Sequence, residues 1–407
     1  MPSLRRELRC SCRGRKESPD RLRSNVAVST KFRQSCGDDA CKDSLSFTRP
    51  TFAWPWFLRS VRSPLGRYRQ LHTSPLPVSH VPVATGSNTI PSPFRTTPLK
   101  RLRVAPFLTT LYVTVDDFCQ SHTPKRKPGP HASLCASEVI TLSLFARWSR
   151  FSSERDFYRY AQTNLTDAFP SLPERSQFNR LVRSHTELME AFFLHLVALL
   201  EVRKRPYEAL DSSAMPTRDC KRTGHGWLAG QADIGWSNSL GWYEGFSLLT
   251  ATDPTGVITG FCFGAASTAD QQMAETFFAV RTQPNRSLSS VGSISSGPYI
   301  ADKGFEGAEN HRRWRESYGA CIIHPPKRNS LKPCSKHLRR WVASIRQIVE
   351  SAYDKLFNTF GLWRERPHEL QGLRARLAAR VALHNFCIWL NEQLGRPRLA
   401  FADLLGW

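Results

Sequence analysis

The sequence predicts an α/β fold, with helices packed on one sheet, that follows an all-helical segment and a disordered basic extension. Residues 1–105 show no sustained helical or strand period, whereas residues 106–203 carry the apolar spacing typical of amphipathic helices. Within residues 204–395, five β-rich segments alternate with helices in the order β-β-β-α-β-α-β-α. Residues 396–407 form a C-terminal tail.

The first 105 residues differ from the rest in composition. They hold 20 Lys and Arg against 6 Asp and Glu, and 11 of the 27 prolines. A segment this basic, without an apolar period, cannot bury a core, which predicts disorder. It is either a basic arm for a polyanionic partner such as DNA or a dispensable extension, and the second interpretation is preferred.

Several helical patterns fill residues 106–203. An apolar stretch covers residues 106–120, and Ser137 with Glu138 begins a helix with an apolar face. Another pattern surrounds residues 154–161. A last one begins near Ser176 and continues as a long apolar helix to residue 200.

Strands are predicted where short β-rich runs end in turn residues or acids. The first run covers residues 207–210 and ends at Asp211, and the fourth covers residues 298–301 and ends at Asp302. The second and third runs are joined by Asp-Pro-Thr-Gly at 253–256, a good turn sequence. These two runs cover 242–251 and 257–263, the fifth covers 320–324, and the helices cover 269–280, 308–317, 336–360 and 373–390.

The charge balance limits the classes of partner. The net charge of +23 favours a polyanionic partner, because each basic side chain near a phosphate releases counterions. The chain has no run of 18 apolar residues and no clear signal peptide, so we expect a cytoplasmic protein with no membrane partner. The 11 cysteines include no Cys-x-x-Cys pair, which argues against a zinc site and favours reduced thiols.

Three acidic residues stand where an α/β sheet presents its ligands. Asp211 and Asp302 each follow a predicted strand, and strand ends are common ligand sites in open sheets. Glu350 lies 48 residues after Asp302 on a long helix, four residues after Arg346. A single Asp after a strand is more often a turn or cap residue, and the Arg–Glu pair alone is more often a solvated salt bridge.

These acids suit phosphodiester chemistry. Hard cations take oxygen ligands, and two Mg²⁺ ions can activate a nucleophile and stabilise a leaving oxygen. In this interpretation Asp211 bridges both ions, Asp302 and Glu350 each hold one, and Mn²⁺ can replace Mg²⁺. The next acids to consider are Asp219, Asp233, Asp270 and Glu306.

Five sequence motifs in order carry a family resemblance. They are Ala-Leu-Asp-Ser at 209–212, Gly-Trp-Ser-Asn-Ser-Leu-Gly-Trp-Tyr at 235–243, Ala-Asp-Lys-Gly-Phe at 301–305, Arg-Gln-Ile-Val-Glu at 346–350, and the helix at 372–385. Together they resemble the DDE transposases of bacterial insertion sequences, over about seventy per cent of the chain.

The resemblance implies an RNase H-like catalytic domain whose metal-binding triad is Asp211, Asp302 and Glu350. It further implies hydrolysis at the ends of a mobile element, attack of a 3′-hydroxyl on target DNA, and a homodimer assembled on DNA in the nucleoid. Some relatives carry a Tyr-x₂-Arg-x₃-Glu-x₆-Lys signature. Arg346 and Glu350 match it, but Ala343 and Phe357 replace its Tyr and Lys, so hairpin handling and subgroup stay open.

Two segments are candidates for DNA contact. Residues 172–183 predict the turn and second helix of a helix-turn-helix with Ser176 as N-cap. The alternative is a basic helix that packs through its apolar side chains. The residues predicted to face base edges are Arg175, Gln177, Asn179 and Arg180, and those predicted to contact phosphates are Lys327, Arg328, Lys332, Lys336, Arg339, Arg340 and Arg346.

Three tryptophans, Trp236, Trp242 and Trp314, could stack on a flipped base, but core positions are the preferred interpretation. The function favoured by all of these features is a DNA transposase. A stand-alone nuclease of the same fold is the alternative enzyme, although a separate helical domain favours end recognition. A decayed transposase that only binds DNA is the alternative from another class, and the presence of all three acids argues against it.

Overall fold

The computed structural model describes residues 101–122, 132–200, 206–218, 228, 230–283, 292, 295, 297–326 and 335–407. The disorder predicted for residues 1–105 lies outside the described residues as far as residue 100. For residues 101–105 the prediction was wrong, because Leu102–Arg103 forms a strand paired with Leu405–Gly406 and a helix begins at Val104. The described residues belong to one compact unit. No helix among them is long and apolar enough to cross a membrane. Five free cysteines are described: Cys119, Cys135, Cys262, Cys321 and Cys387.

The predicted helical patterns of the first half are confirmed. Where Ser137 and Glu138 predict a start, the Glu138 carboxylate accepts a hydrogen bond from the backbone N–H of Cys135 at 2.7 Å and caps the helix. The long pattern after residue 176 is divided in two at His185. The helices are α1 Val104–His122, α2 Ala136–Phe145, α3 Glu154–Asn164, α4 Arg175–Ser184 and α5 Thr186–Leu199.

The second half forms a mixed sheet with helices. All five predicted strands and four predicted helices are present; the first strand is much longer than predicted, and the other elements differ from the prediction only at their ends. The strands are β1 Leu102–Arg103, β2 Glu208–Arg218, β3 Asp233–Ser237, β4 Gly241–Thr252, β5 Ile258–Ala265, β6 Tyr299–Ala301, β7 Ile322–Ile323 and β8 Leu405–Gly406. The helices are α6 Asp270–Arg281, α7 Ala308–Tyr318, α8 Lys336–Asp354 and α9 Leu370–Gln393.

The strand order of the main sheet is β5-β4-β2-β6-β7, with β3 beside β5 on the same edge of β4. The strands β2, β4 and β5 run antiparallel, whereas β6 is parallel to β2 and β7 is parallel to β6. Three antiparallel strands followed by two parallel strands, with helices on both faces, make this an RNase H-like fold. The tight turn between β4 and β5 is the predicted one, and Gly256 adopts a φ of +90° there.

One expectation about the strands was wrong, and one strand was missed. The first strand does not end before Asp211 but continues for seven residues beyond it, because the long β4 offers backbone partners from Ala209 to Arg218. The strand β3 was not predicted, because its five residues alternate poorly and depend on pairing with β4. In both cases long-range pairing, rather than local propensity, sets the strand.

The sheet has a hydrophobic core on each face. Leu210 and its neighbours pack with Phe277, Phe278 and Trp314 of α6 and α7, so the prediction of a core position for Trp314 is confirmed. The adjacent Ala209 lies on the opposite face, where the sheet packs with α8, α9 and the N-terminal helices in one continuous cluster. The domain boundaries after residues 105, 203 and 395 stay predictions.

Candidate active site

Asp211 and Asp302 are brought side by side by strand register. The parallel strands β2 and β6 pair Leu210 with Ala301, and each aspartate follows its member of this pair. Asp211 accepts a hydrogen bond from the backbone N–H of Ser212 at 3.0 Å. Asp302 accepts one from the backbone N–H of Lys303 at 2.6 Å. Each carboxylate is thus oriented by the backbone N–H of the residue that follows it, and the two lie next to each other just after the paired residues.

Glu350 reaches this place from the helix α8, which packs against β2 and β6. The hydroxyl of Tyr353, one turn further along α8, is within hydrogen-bond distance of two strand carbonyl oxygens, at 2.8 Å from that of Asp211 and 2.9 Å from that of Leu248. The tyrosine is buried, so α8 is held at a fixed height over the sheet. Glu350 itself remains largely exposed.

The guanidinium of Arg346 lies among the three acids. Its nitrogens are 3.8 Å from a carboxylate oxygen of Asp211, 3.5 Å from one of Asp302 and 3.7 Å from one of Glu350. Its buried Nε has no hydrogen-bond partner within the described part of the chain. The three acids singled out in the sequence therefore surround a single cation.

The electrostatics of Asp211 reflect this crowding. The pKa of Asp211 is raised to about 7, mainly by burial; Arg346 and the Ser212 N–H act in the opposite direction, and Asp302 and Asp270 contribute to the rise. An ionised Asp211 is therefore stable only beside a positive charge. Such a carboxylate is suited to holding a cation or a proton in a site with few water molecules.

A fourth carboxylate, Asp270, adjoins the pair. It is the first residue of α6 and accepts a hydrogen bond from the Ser212 hydroxyl at 2.6 Å. A methyl group in place of the Gly304 hydrogen would lie 2.9 Å from its Oδ2. Burial raises the pKa of Asp270, and Asp302 adds to this rise. The sequence placed Asp270 only among secondary candidates; its position at the start of a helix after an antiparallel strand was the available signal.

The other secondary acids contribute less. Asp233 lies on the exposed strand β3, where it accepts a hydrogen bond from the Ser267 hydroxyl at 2.5 Å. Glu306 lies in the loop before α7, and its backbone oxygen accepts a hydrogen bond from Gln271. Asp219 lies outside the described residues.

The side chains around Asp211 offer carboxylate oxygens to a divalent metal ion. In the part of the chain that the structure describes, no group of three or more His, Cys, Asp or Glu side chains lies close enough to hold a metal ion. Arg346 occupies the space between the acids instead. Carboxylate oxygens are nevertheless the ligands that Mg²⁺ prefers, and the buried Asp211 needs a neighbouring positive charge, so the donor set fits a hard cation.

The predicted DNA-facing residues of α4 divide as an amphipathic helix requires. Arg175, Gln177 and Arg180 are exposed and Asn179 is half-buried, whereas Phe178 and Val182 are buried. The prediction of Ser176 as N-cap was wrong. Glu174 occupies that position, and the Ser176 hydroxyl donates a hydrogen bond to its carboxylate. A packed apolar face and a free basic face coexist on this helix.

The basic residues near the acids are only partly described. Lys336, Arg339 and Arg340 lie exposed in the first turns of α8, the helix that carries Arg346. Their exposure leaves them accessible to a ligand approaching that end of the helix. The predicted phosphate contacts at Lys327, Arg328 and Lys332 lie outside the described residues.

The preferred prediction that Trp236 and Trp242 occupy core positions was wrong. Their exposed fractions are 60% and 64%, and their rings meet edge to face with centroids 5.5 Å apart. They lie on the β3–β4 hairpin, directly opposite each other in the strand register. Both rings therefore lie at the surface of the hairpin, where each packs against the other.

The comparison with protein families agrees with this site. Residues 208–386 match the family described as "Transposase DDE domain". This part of the chain is therefore similar to a transposase DDE domain. It extends from β2 into α9 and contains Asp211, Asp302 and Glu350, and such transposases typically use divalent metal ions. No curated protein and no solved structure matches the chain.

Proposed function

We propose that the protein is a transposase that binds the ends of a bacterial insertion sequence and catalyses metal-dependent DNA cleavage and strand transfer. The observation that carries the proposal is the approach of Asp211, Asp302 and Glu350 to one cation position, within a segment that is similar to a transposase DDE domain. A helix with a free basic face, α4, accompanies this site. The net charge of +23 supports a nucleic-acid partner.

Asp211, Asp302 and Glu350 would hold two Mg²⁺ ions, and Mn²⁺ could substitute. Bound there, the ions would supply Lewis acidity that favours deprotonation of the attacking water or 3′-hydroxyl and stabilises the leaving oxygen. Arg346 would leave the carboxylates and neutralise a phosphate of the substrate. The backbone N–H groups of Ser212 and Lys303 would keep the two aspartates oriented.

End recognition is assigned to α4, and phosphate contact to α8 and the residues before it in the sequence. Arg175, Gln177 and Arg180 are exposed and Asn179 is half-buried on a helix anchored by Phe178 and Val182, as a recognition helix requires. Phosphate contact is assigned to Lys327, Arg328, Lys332, Lys336, Arg339 and Arg346. Binding and cleavage by two copies of the chain on DNA, in the nucleoid, completes the proposal.

The test is a nicking assay on DNA that contains the element's ends, beside a gel-shift on the same fragment. Asp211→Asn, Asp302→Asn and Glu350→Gln should each abolish cleavage in Mg²⁺ or Mn²⁺ and leave DNA binding nearly intact, because an amide keeps the shape and removes the charge. Glu309→Gln, an exposed acid of α7, is the matched control. Cleavage at the wild-type rate by any one triad variant would remove that residue from the triad.

Two outcomes separate the alternatives. A decayed transposase would bind the ends but never cut them in any metal. A stand-alone nuclease would cut without preference for the ends and would not join a 3′-hydroxyl to target DNA. Reversal of charge at Arg175 and Arg180 separates the two interpretations of α4: a recognition helix loses end binding more than binding to random DNA.

A further inference from the structure

A deep cleft lined by arginines lies between the N-terminal helices and the start of α9. Its volume is about 510 Å³, within the range of small-ligand sites. Eight arginines and three glutamates line it, so its walls carry a clear excess of positive charge. The arginines are Arg147, Arg155, Arg175, Arg183, Arg364, Arg366, Arg376 and Arg380.

The floor of the cleft is a fixed ion network. Glu365 is buried and contacts Arg380 at 2.5 Å, Arg376 at 2.8 Å and Arg147 at 3.5 Å. Arg376 also contacts Glu154 at 2.8 Å. Three arginines thus share two glutamates, and the positive charge of the floor exceeds its negative charge.

The excess charge is held away from water. Arg147 and Arg380 are more than nine-tenths buried. The pKa of Arg147 is lowered to about 10, mainly by burial and next by repulsion from Arg380. Burial by itself raises the pKa of Glu365, but Arg380, Arg376 and Arg147 together lower it to about 2. An anion that entered the cleft would meet preorganised guanidinium groups, which cost little to reorganise.

The rim adds arginines whose charges are not balanced. Arg155 and Arg175 form no ion pair within the described residues, and Arg366 donates only to backbone oxygens there. Arg183 lies 3.6 Å from Glu369, and Arg175 interacts electrostatically with the adjacent Glu174. Ion pairs that served only to join helices would not require these additional positive charges at the rim.

The proposed recognition helix α4 forms part of the wall of the cleft. Arg175 and Asn179 of α4 line it, so DNA lying along α4 passes its mouth. We propose that this arginine cleft binds a phosphodiester group of the DNA backbone and fixes the DNA relative to α4. This inference rests on the proposed function, because it takes DNA as the ligand.

The experiment measures DNA affinity against salt for the full chain. Arg155→Gln with Arg366→Gln removes two exposed charges from the rim, and Arg103→Gln with Arg315→Gln removes two exposed charges elsewhere. The cleft variant should lower the slope of log affinity against log salt by about one to two, on specific and random duplexes alike. The control should leave the slope unchanged. Thermal unfolding should be the same for all three proteins.

The outcomes are distinct. Equal slopes for the cleft variant and the control, with a wild-type protein that binds and cuts DNA, overturn the cleft assignment and leave the proposed function standing. A wild-type protein that binds no DNA at any salt concentration overturns both. Free inorganic phosphate has the same chemical group and is the alternative ligand. If phosphate stabilises the wild type but not the cleft variant, and both proteins bind DNA with the same affinity, the cleft binds free phosphate. The inference would then be wrong.

Discussion

The hydroxyl of Tyr353 lies 2.8 Å from the carbonyl oxygen of Asp211, which ties the helix of one proposed catalytic acid to the strand of another. The same hydroxyl also contacts the carbonyl oxygen of Leu248, so it connects α8 to β4 as well. Because Glu350 precedes Tyr353 by one turn of α8, the height of Glu350 over the sheet depends on this phenol. Tyr353 is thus a positioning residue.

Tyr353→Phe should lower the cleavage rate by about tenfold, equivalent to about 1.4 kcal/mol in the barrier, and leave DNA affinity unchanged. The free energy of unfolding should fall by about 1 kcal/mol, the usual net value of one hydrogen bond. Tyr158→Phe is the control, since the Tyr158 hydroxyl of α3 donates a hydrogen bond to the backbone oxygen of Pro173 and to neither β2 nor β4. Equal rate losses in both variants would mean that stability alone is responsible.

Arg346→Gln should shift the response of the protein to Mg²⁺. Without metal, the three carboxylates lose their common cation, and the free energy of unfolding should fall by about 1–2 kcal/mol. With metal, the guanidinium no longer competes, so the melting temperature should begin to rise at lower Mg²⁺ concentrations than in the wild type. The measurement is a thermal-unfolding titration with Mg²⁺, and Arg339→Gln, exposed on the same helix, is the control. Identical Mg²⁺ midpoints for Arg346→Gln and the wild type would show that Arg346 does not compete with the ion.

Gly304→Ala should be destabilising through Asp270. The new methyl group would meet Oδ2 of Asp270 at 2.9 Å, while the Ser212 hydroxyl holds the same carboxylate from the other side. We expect a loss of about 1–2 kcal/mol in the free energy of unfolding. Asp270→Ala in the same chain should recover most of that loss, because the obstructing group is gone.

A double-mutant cycle by urea unfolding measures this coupling. Gly372→Ala serves as the steric control, since a methyl group there meets nothing within 4 Å and alanine favours the helix α9. Additive effects of Gly304→Ala and Asp270→Ala would show that the two residues do not touch in solution.

His384 should make the protein sensitive to mild acid. Burial lowers the pKa of His384 to about 4, although its hydrogen bond to the Gly256 carbonyl oxygen acts in the opposite direction. In the unfolded chain the ordinary value of 6.5 applies, so between these two values the unfolded state binds more protons than the folded state. Stability should therefore decline as the pH falls from 6.5 to 4, by about 3 kcal/mol in total.

His384→Gln should remove most of this decline, whatever it costs at pH 7.5. The measurement is the free energy of unfolding in urea at a series of pH values between 7.5 and 4.5. His337→Gln, an exposed histidine of α8, should keep the wild-type dependence on pH. An unchanged pH slope in His384→Gln would assign the acid sensitivity to other groups.

Much of the fold was predictable because its signals are local. The β-rich runs, the turn before Gly256 and the apolar spacing of the helices each depend on residues close together in the chain, and these elements were confirmed. Asp211 and Asp302 could be singled out for the same reason, since each follows a short strand signal. The length of β2 and the existence of β3 could not, because both depend on pairing with a distant partner.

The sequence by itself determined the order of elements and the excess of positive charge, and it singled out the three acids as candidates. Tertiary structure alone decided that the Leu210–Ala301 register brings two of those acids together and that Arg346 lies among all three. Tertiary packing also forms the arginine cleft, whose walls include Arg147, Arg175 and Arg380, and it leaves Trp236 exposed. The physical reason is that charge and periodicity are properties of neighbouring residues, whereas contacts and burial depend on which distant surfaces pack together.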